Sequence, residues 1–313
     1  NLFSVAYVEQ GMTSIAGDIR DIETLQSVMS DHKPEIVFHM AAQSLVRYSY
    51  EAPLETYSTN VMGAVNLLEA VRLSHSVKSV VVVTSDKCYE NKEWDRGYQE
   101  DDVLGGRDPY SNSKGCAELV TSAYRQSFFE SADNSGHPAA VASARAGNVV
   151  GGGDWAQDRL IPDAMRAFTA NRAMIVRSPN AIRPWQHVLE PLAGYILLAQ
   201  NLFHNGADFA QAWNFGPPES DVRSVSMVLQ TLRRLWGEDV IVREDINETQ
   251  VHEAQTLKLD SAKAAKLLNW RPRLSLEDGL GFVVDWYRSY KNDEDMRAFT
   301  IRQIEIFENK DRK

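Results

Sequence analysis

Residues 77–89 read VKSVVVVTSDKCY. Apart from Lys78 and Ser79 the first seven are valines with little alternation, which is how a strand covered on both faces reads. The run ends in a hydroxyl, a carboxylic acid and an amine, Ser85, Asp86 and Lys87. Polar groups at the mouth of a buried strand must be solvated, paired or used. Outward from this point the pattern repeats. PEIVFHMAA (34–42) is a second apolar run, expected as a buried strand, and AAVASARAGNVVGGG (139–153) a third, running into a glycine-rich loop. Between them, residues 53–74 and 108–129 carry helical spacing. In the first, Val61, Val65, Leu68 and Val71 share a face; the second has Pro109 near its start. GDIRDIETLQSVMSDHK (17–33) reads as a strand end followed by an amphipathic helix. Strands alternating with helices imply a doubly wound parallel α/β sheet, whose ligands sit at the carboxyl ends of the strands.

After Gly153 the texture changes: Trp, Pro and Arg become frequent and the helices shorter. The reading is a dinucleotide-type domain over 1–150 and a smaller mixed substrate domain over 151–313. The tail 291–313 reads as a solvated or subunit-facing helix.

The bulk numbers exclude several classes. The 313 residues carry a formal charge of -10, which disfavours nonspecific binding to nucleic acid. No apolar run reaches the roughly 18 residues of a membrane helix, and no secretory signal opens the sequence. Cys88 and Cys116 are the only cysteines. They form no spaced ligand set, so no metal site is expected, and they suit a reducing, cytoplasmic compartment.

Tyr110 and Lys114 form Y-x-x-x-K, which a helix places on one face. A nearby ammonium favours tyrosinate and lowers the phenol toward a usable base. The motif opens the helix after the strand that ends in Thr84 and Ser85, whose hydroxyls can reach the same substrate oxygen.

In order, GDIRD (17–21), FHMAAQS (38–44), YSTNVMG (57–63), VVTSDKCY (82–89), DPYSNSK (108–114), RAGNVVGGGDW (145–155), RLIP (159–162), IRPWQHV (182–188) and WNFGP (213–217) run through nearly the whole chain. Together they resemble the sugar-nucleotide 4,6-dehydratases of the extended short-chain dehydrogenase/reductase family. Most of those acting on dTDP-glucose or GDP-mannose carry an Asp-Glu pair as acid and base at this turn. The Lys87 found here, the insert 90–107 and the run RPWQHVLEPL (183–192) resemble instead the branch acting on CDP-glucose.

The resemblance implies NAD as cofactor and a nucleotide sugar as substrate, CDP-glucose being favoured. Tyr110 takes the proton of the sugar 4-hydroxyl while hydride leaves C4. Lys87 then removes the C5 proton, Asp86 protonates the departing 6-hydroxyl, and hydride returns to C6. By position, Asp18 and Ile19 match adenine contacts. Ala41, Ala42, Gln43, Asn60 and Thr84 lie near the cofactor with Tyr110 and Lys114. Asn148, Arg159, Arg177, Arg183 and Asn214 match substrate contacts, Arg183 being best suited to the diphosphate. The stretch HEAQTLKLD (252–260) has no Arg where dTDP-type relatives have them, so no phosphate role is expected of it. The alternatives are a dehydratase for GDP-mannose or dTDP-glucose, a C4 epimerase (which needs neither Asp86 nor Lys87), or a nonenzymatic nucleotide-sugar-binding relative.

Relatives pair through the helices near 54–74 and 109–129, so a homodimer or homotetramer is implied. The second carries apolar Leu119, Val120 and Phe128. The family's glycine-rich fingerprint is absent, and GGGDW (151–155) follows a late strand, so it does not replace it. The expectation is a sequence that begins inside a longer chain, lacking two strands and a helix. Residues 14–17 and 35–40 are then not ladder partners, and the 313 residues alone do not fold stably or hold NAD.

Overall fold

The computed structural model describes residues 1–130, 137–237, 241–244 and 254–310. Its centre is a parallel sheet in the order β1 (Ile36–His39), β2 (Ser79–Val83), β3 (Ala140–Ala146), β7 (Ala212–Phe215). Every residue of β3 is buried, and β2 is buried except at Val83, as central parallel strands covered on both faces are. Alternate residues serve opposite layers. Val80 and Val82 pack with Leu68 and Val71 on one face, while Val81 packs with Ala142, Leu198 and Trp213 on the other.

Two sequence expectations are corrected. β1 is an edge strand: it pairs with β2 alone among the described residues, and Ile36 and Phe38 stay 41% and 40% exposed. Residues 14–17 form no strand but exposed irregular backbone, and, as expected, they are not ladder partners of β1. The expected split at residue 150 is also not linear. The helix Leu189–Asn205 and strand β7 return to the central sheet.

Residues 53–72 make one helical run, Pro53–Tyr57 and Gly63–Arg72, joined by a wider π turn at Ser58–Met62. That turn rotates the buried face, so Ala64, Leu67, Leu68 and Val71 are inside and Val61 and Val65 only half-buried. The helix Pro109–Tyr124 starts on Asp108, whose carboxylate accepts from the Ser111 N–H at 2.8 Å.

The second layer joins β4 (Asn148–Val150), β6 (Ile182–His187) and β8 (Val222–Ser224) in one sheet and β5 (Met174–Val176) with β9 (Val242–Glu244) in another. Its core holds Phe168, Trp185, Trp236 and Trp286. The GGGDW loop belongs to this packing. A Cβ on Gly152 would lie 2.1 Å from the Trp286 ring, and Gly153 has φ +76. The tail helix Met296–Glu308 lies against Leu276–Lys291, where Gln303 donates to the Phe282 carbonyl at 2.7 Å.

Candidate active site

A cavity of about 360 Å³ opens between the two layers, at the carboxyl end of β2. Ser85, Asp86, Lys87 and Tyr110 reach it from the first layer; Asn148, Arg159, Arg177 and Arg183 reach it from the second.

Where β2 stops, Ser85 caps a single 3-10 turn, Asp86–Cys88, its Oγ accepting from the Lys87 N–H at 3.2 Å. The same hydroxyl donates to Asp86 Oδ1 at 3.0 Å. The other oxygen of Asp86 is buried without a hydrogen-bond partner. Burial raises this carboxyl above the usual range, against the opposing pull of Lys87, Ser85 and Arg183. The turn therefore presents a carboxyl that burial pushes toward its proton-holding form.

Tyr110 is fixed at the second position of its helix, where its N–H donates to Ser49 Oγ at 3.1 Å. The expected lowering of its phenol is not what the structure gives. Burial pushes it up to about 12, with the Ser85 hydrogen bond and Arg159 pulling the other way. Lys114, one turn on, is buried beneath β2 and donates to the Val83 carbonyl at 3.3 Å. Burial brings its amine down to about 8, and Glu118 resists that fall. Beside it, His39 is held near 4 by burial and by the Lys114 charge, so it is a neutral imidazole at pH 7.

The loop after β1 is held by an amide exchange. Gln43 N–H donates to Asn60 Oδ1 at 2.8 Å, and Asn60 Nδ2 donates to the Gln43 carbonyl and to Ser113 Oγ, both at 2.9 Å. Asn60 thus spends its side chain on shaping this loop. Ala41 is exposed, and Ala42 and Gln43 half-buried, on its open side. Asp18 pairs with Arg20, whose guanidinium holds the carboxyl near 2, and Ile19 packs against Gly63.

Two expected contacts lie elsewhere. Thr84 continues the alternation of Val80 and Val82, so its hydroxyl turns into the core and donates to Glu118. Asn214 is fully buried. Its amide donates to the carbonyls of Tyr98 and Asp260 at 2.8 and 3.1 Å, and its Oδ1 accepts from the Tyr89 hydroxyl at 2.7 Å. Both are structural hydrogen-bonding groups below the cavity. Of the stretch 252–260, residues 252–253 lie outside the described residues.

The second-layer arginines are already engaged. Arg159 meets Asp154 at 3.1 Å and Ser44 at 2.8 Å. Arg177 meets Asp158 at 2.6 Å, and Arg183 donates to the carbonyls of Ile182 and Gln255 at 2.9 and 3.2 Å. Sequence reasoning missed two features. Arg47 lines the cavity and matches no chemical pattern. Glu118 could have been found, since it lies four residues after Lys114 on the same helix face.

Comparison with known proteins adds the following. The family model described as GDP-mannose 4,6 dehydratase matches residues 3–281. A CDP-glucose 4,6-dehydratase of Salmonella typhimurium is 53% identical over 304 residues, covering 97% of this chain and 84% of that protein. A dTDP-glucose 4,6-dehydratase of Streptomyces antibioticus is 27% identical, covering 90% and 77%. Among solved structures, a double mutant of DesIV, a dTDP-glucose 4,6-dehydratase of Streptomyces venezuelae with NAD bound, superposes with a TM-score of 0.80 at 23% identity, covering 94% and 86%. The UDP-glucose 4-epimerase of Thermus thermophilus with NAD gives 0.77 at 22% identity, covering 89% and 86%.

Proposed function

We propose, for a chain that belongs to the GDP-mannose 4,6-dehydratase family of extended short-chain dehydrogenases/reductases, that it converts CDP-glucose to CDP-4-keto-6-deoxyglucose. The observation that carries this reading is the grouping of Asp86, whose carboxyl burial raises, with Lys87 and Tyr110 in one cavity. An epimerase has no elimination to perform and no use for that pair.

Ala41, Ala42 and Gln43, on the open side of the loop after β1, and Lys114 would hold part of a dinucleotide. The buried Lys114 ammonium has three N–H donors, and its described hydrogen bond is the one to Val83. NAD, when bound there, supplies the acceptor and donor of hydride. Tyr110, with Ser85 on its hydroxyl, takes the proton of the sugar 4-hydroxyl as C4 is oxidised. The C4 ketone acidifies the C5–H bond. The Lys87 amine takes that proton, and the C–H electron pair forms the C5–C6 double bond. The C6–O bond breaks, and Asp86 gives its proton to the departing hydroxyl, which leaves as water; C6 then takes back the hydride removed from C4, and C5 takes its proton back from Lys87. Arg183, Arg159, Arg177 and Asn148 are assigned to the nucleotide diphosphate end. The parallel-sheet layer takes the cofactor and the part from Gly151 onward takes the nucleotide sugar.

The test is to supply CDP-, dTDP-, UDP- and GDP-sugars with NAD and follow the alkali-absorbing 4-keto product. Turnover is expected with CDP-glucose foremost. A preference for another nucleotide shifts the assignment within the family, and a C4 epimer with no 4-keto product overturns it.

We also assign the protein to the cytoplasm as a homo-oligomer. Cys88 and Cys116 are free thiols, and among the described residues no helix is long and apolar enough to cross a membrane. On the helices 53–72 and 109–124, Leu54 is 87%, Leu119 59% and Met62 50% exposed, more apolar surface than a lone helix pair leaves in water. Sedimentation at micromolar concentration is expected to give a dimer or tetramer, and Leu119→Arg a smaller species. A monomeric wild-type protein would remove this assignment.

A further inference from the structure

Arg47 takes no part in the mechanism above. It sits in the short helix Val46–Glu51, just after the loop that follows β1, and lines the same cavity as Asp86, Lys87 and Tyr110. Its Nε is buried and has no hydrogen-bond partner. The carboxylates around it are committed elsewhere. Asp154 pairs with Arg159, Asp158 with Arg177 and Asp163 with Arg166, while Asp86 holds the Ser85 hydroxyl.

A guanidinium cannot shed its charge in a protein. Arg47 is half-buried, and its Nε, withdrawn from water without an acceptor, costs free energy that a structural role would have to repay. Nothing among the described residues does so. The wall of this cavity therefore contains two kinds of arginine. Arg159 and Arg177 arrive with their charge compensated, and Arg47 does not. A doubly charged diphosphate entering the cavity finds at Arg47 a cation whose charge no carboxylate already shares. The planar fork of N–H groups also matches phosphate oxygens two at a time.

We propose that Arg47 is a substrate-binding residue that donates to the diphosphate of the nucleotide sugar, closing over it from the cofactor-side layer opposite Arg183. The proposal rests on the nucleotide-sugar reading of the cavity.

The test compares wild type, Arg47→Gln and Arg47→Lys by calorimetric titration with CDP, which has the diphosphate and no hexose, and with cytidine, which has neither. Steady-state turnover of CDP-glucose and thermal unfolding are measured alongside. Arg47→Gln is expected to weaken CDP about 10- to 100-fold. It should raise KM for CDP-glucose in parallel and leave cytidine binding and the unfolding temperature unchanged. Arg47→Lys should recover part of the loss, since it restores the charge without the fork. Unchanged CDP affinity in Arg47→Gln overturns the proposal. If KM rises all the same, the guanidinium serves the hexose instead. Failure of the broader reading looks different: wild type itself then binds neither CDP nor other nucleoside diphosphates, and the proposal falls with it.

Discussion

Lys87→Ala is expected to lower formation of the 6-deoxy product by about 10³-fold, within the 10²–10⁴ range of a lost general base. The first oxidation should survive, because Tyr110 and Ser85 are untouched. The hexose oxidised at C4 but still carrying its 6-hydroxyl should therefore accumulate in a single turnover. In deuterated water, wild type should wash solvent hydrogen into C5 and the variant should not. Dehydration at near wild-type rate in Lys87→Ala would strip Lys87 of the role.

Asp86→Asn is the companion, and it separates acid from base. It should also stop at the 4-ketone, yet still exchange hydrogen at C5, since Lys87 remains. Its pH behaviour follows from burial. The folded-state pKa of Asp86 lies above its unfolded value, so the folded protein binds the extra proton. That contribution to stability is complete below the unfolded pKa and is lost as pH rises through the folded one. Asp86→Asn should therefore narrow the stability gap between mild acid and neutral pH while abolishing turnover. In the wild type, activity should fall on the alkaline side as Asp86 gives up its proton.

How much of this could be read from the residues depends on what each pattern reports. β2 was legible because its valine run has no polar alternation to confuse it, and β3 because its alanines, Ala140 to Ala146, alternate with Val141, Ser143 and Arg145. β1 carries the same kind of run, IVFH, yet sits at an edge. Apolar content tells that a strand has a sheet to join, not how many neighbours it finds there. The Ser85–Lys87 turn was legible because it breaks an apolar run with three functional groups. Thr84, one residue earlier, was misplaced because strand periodicity sends it to the other side. Asn214 was misplaced for the same reason. Trp213 and Phe215 flank it and face the core with Leu198, so the asparagine must face Arg145, its partner across the ladder. Arg47 left no trace, since a lone arginine after a loop becomes informative only when its surroundings prove to hold no acid for it.

Glu118→Gln is expected to destabilise the protein by about 3–5 kcal/mol, the cost of leaving one partner of a buried ion pair alone. That is a large part of the roughly 5–15 kcal/mol that holds a domain together. Glu118 accepts from the hydroxyls of Thr84 and Ser143, the latter at 2.7 Å, and from Arg145 Nη2, also at 2.7 Å, with both charged side chains 3% exposed. Arg145 in turn donates to the Tyr89 hydroxyl at 2.7 Å and to the Glu100 carbonyl at 3.0 Å. Through Tyr89 the chain of bonds reaches Asn214, so a single carboxylate ties β2, β3, β7 and the Y-x-x-x-K helix into one unit. Burial alone would raise Glu118, but Arg145 and these hydroxyls hold it below its usual value. Its contribution is present above the unfolded carboxyl pKa and is lost as pH falls through the folded one. The double variant Glu118→Gln, Arg145→Met should recover much of the loss, because no stranded cation remains. A second share of the loss belongs to Lys114, whose amine Glu118 helps to keep charged. With a folded pKa of about 8 against 10.5 unfolded, Lys114 charging costs stability most fully below the folded value, and the cost fades as pH rises between the two. Glu118→Gln lowers the folded value further and enlarges that cost. Urea unfolding of the single variant should therefore show a deficit at pH 7 that shrinks toward pH 10, on top of an Arg145 share that does not change. A deficit under 1 kcal/mol at pH 7 would mean that the network packs the sheet without holding it by charge.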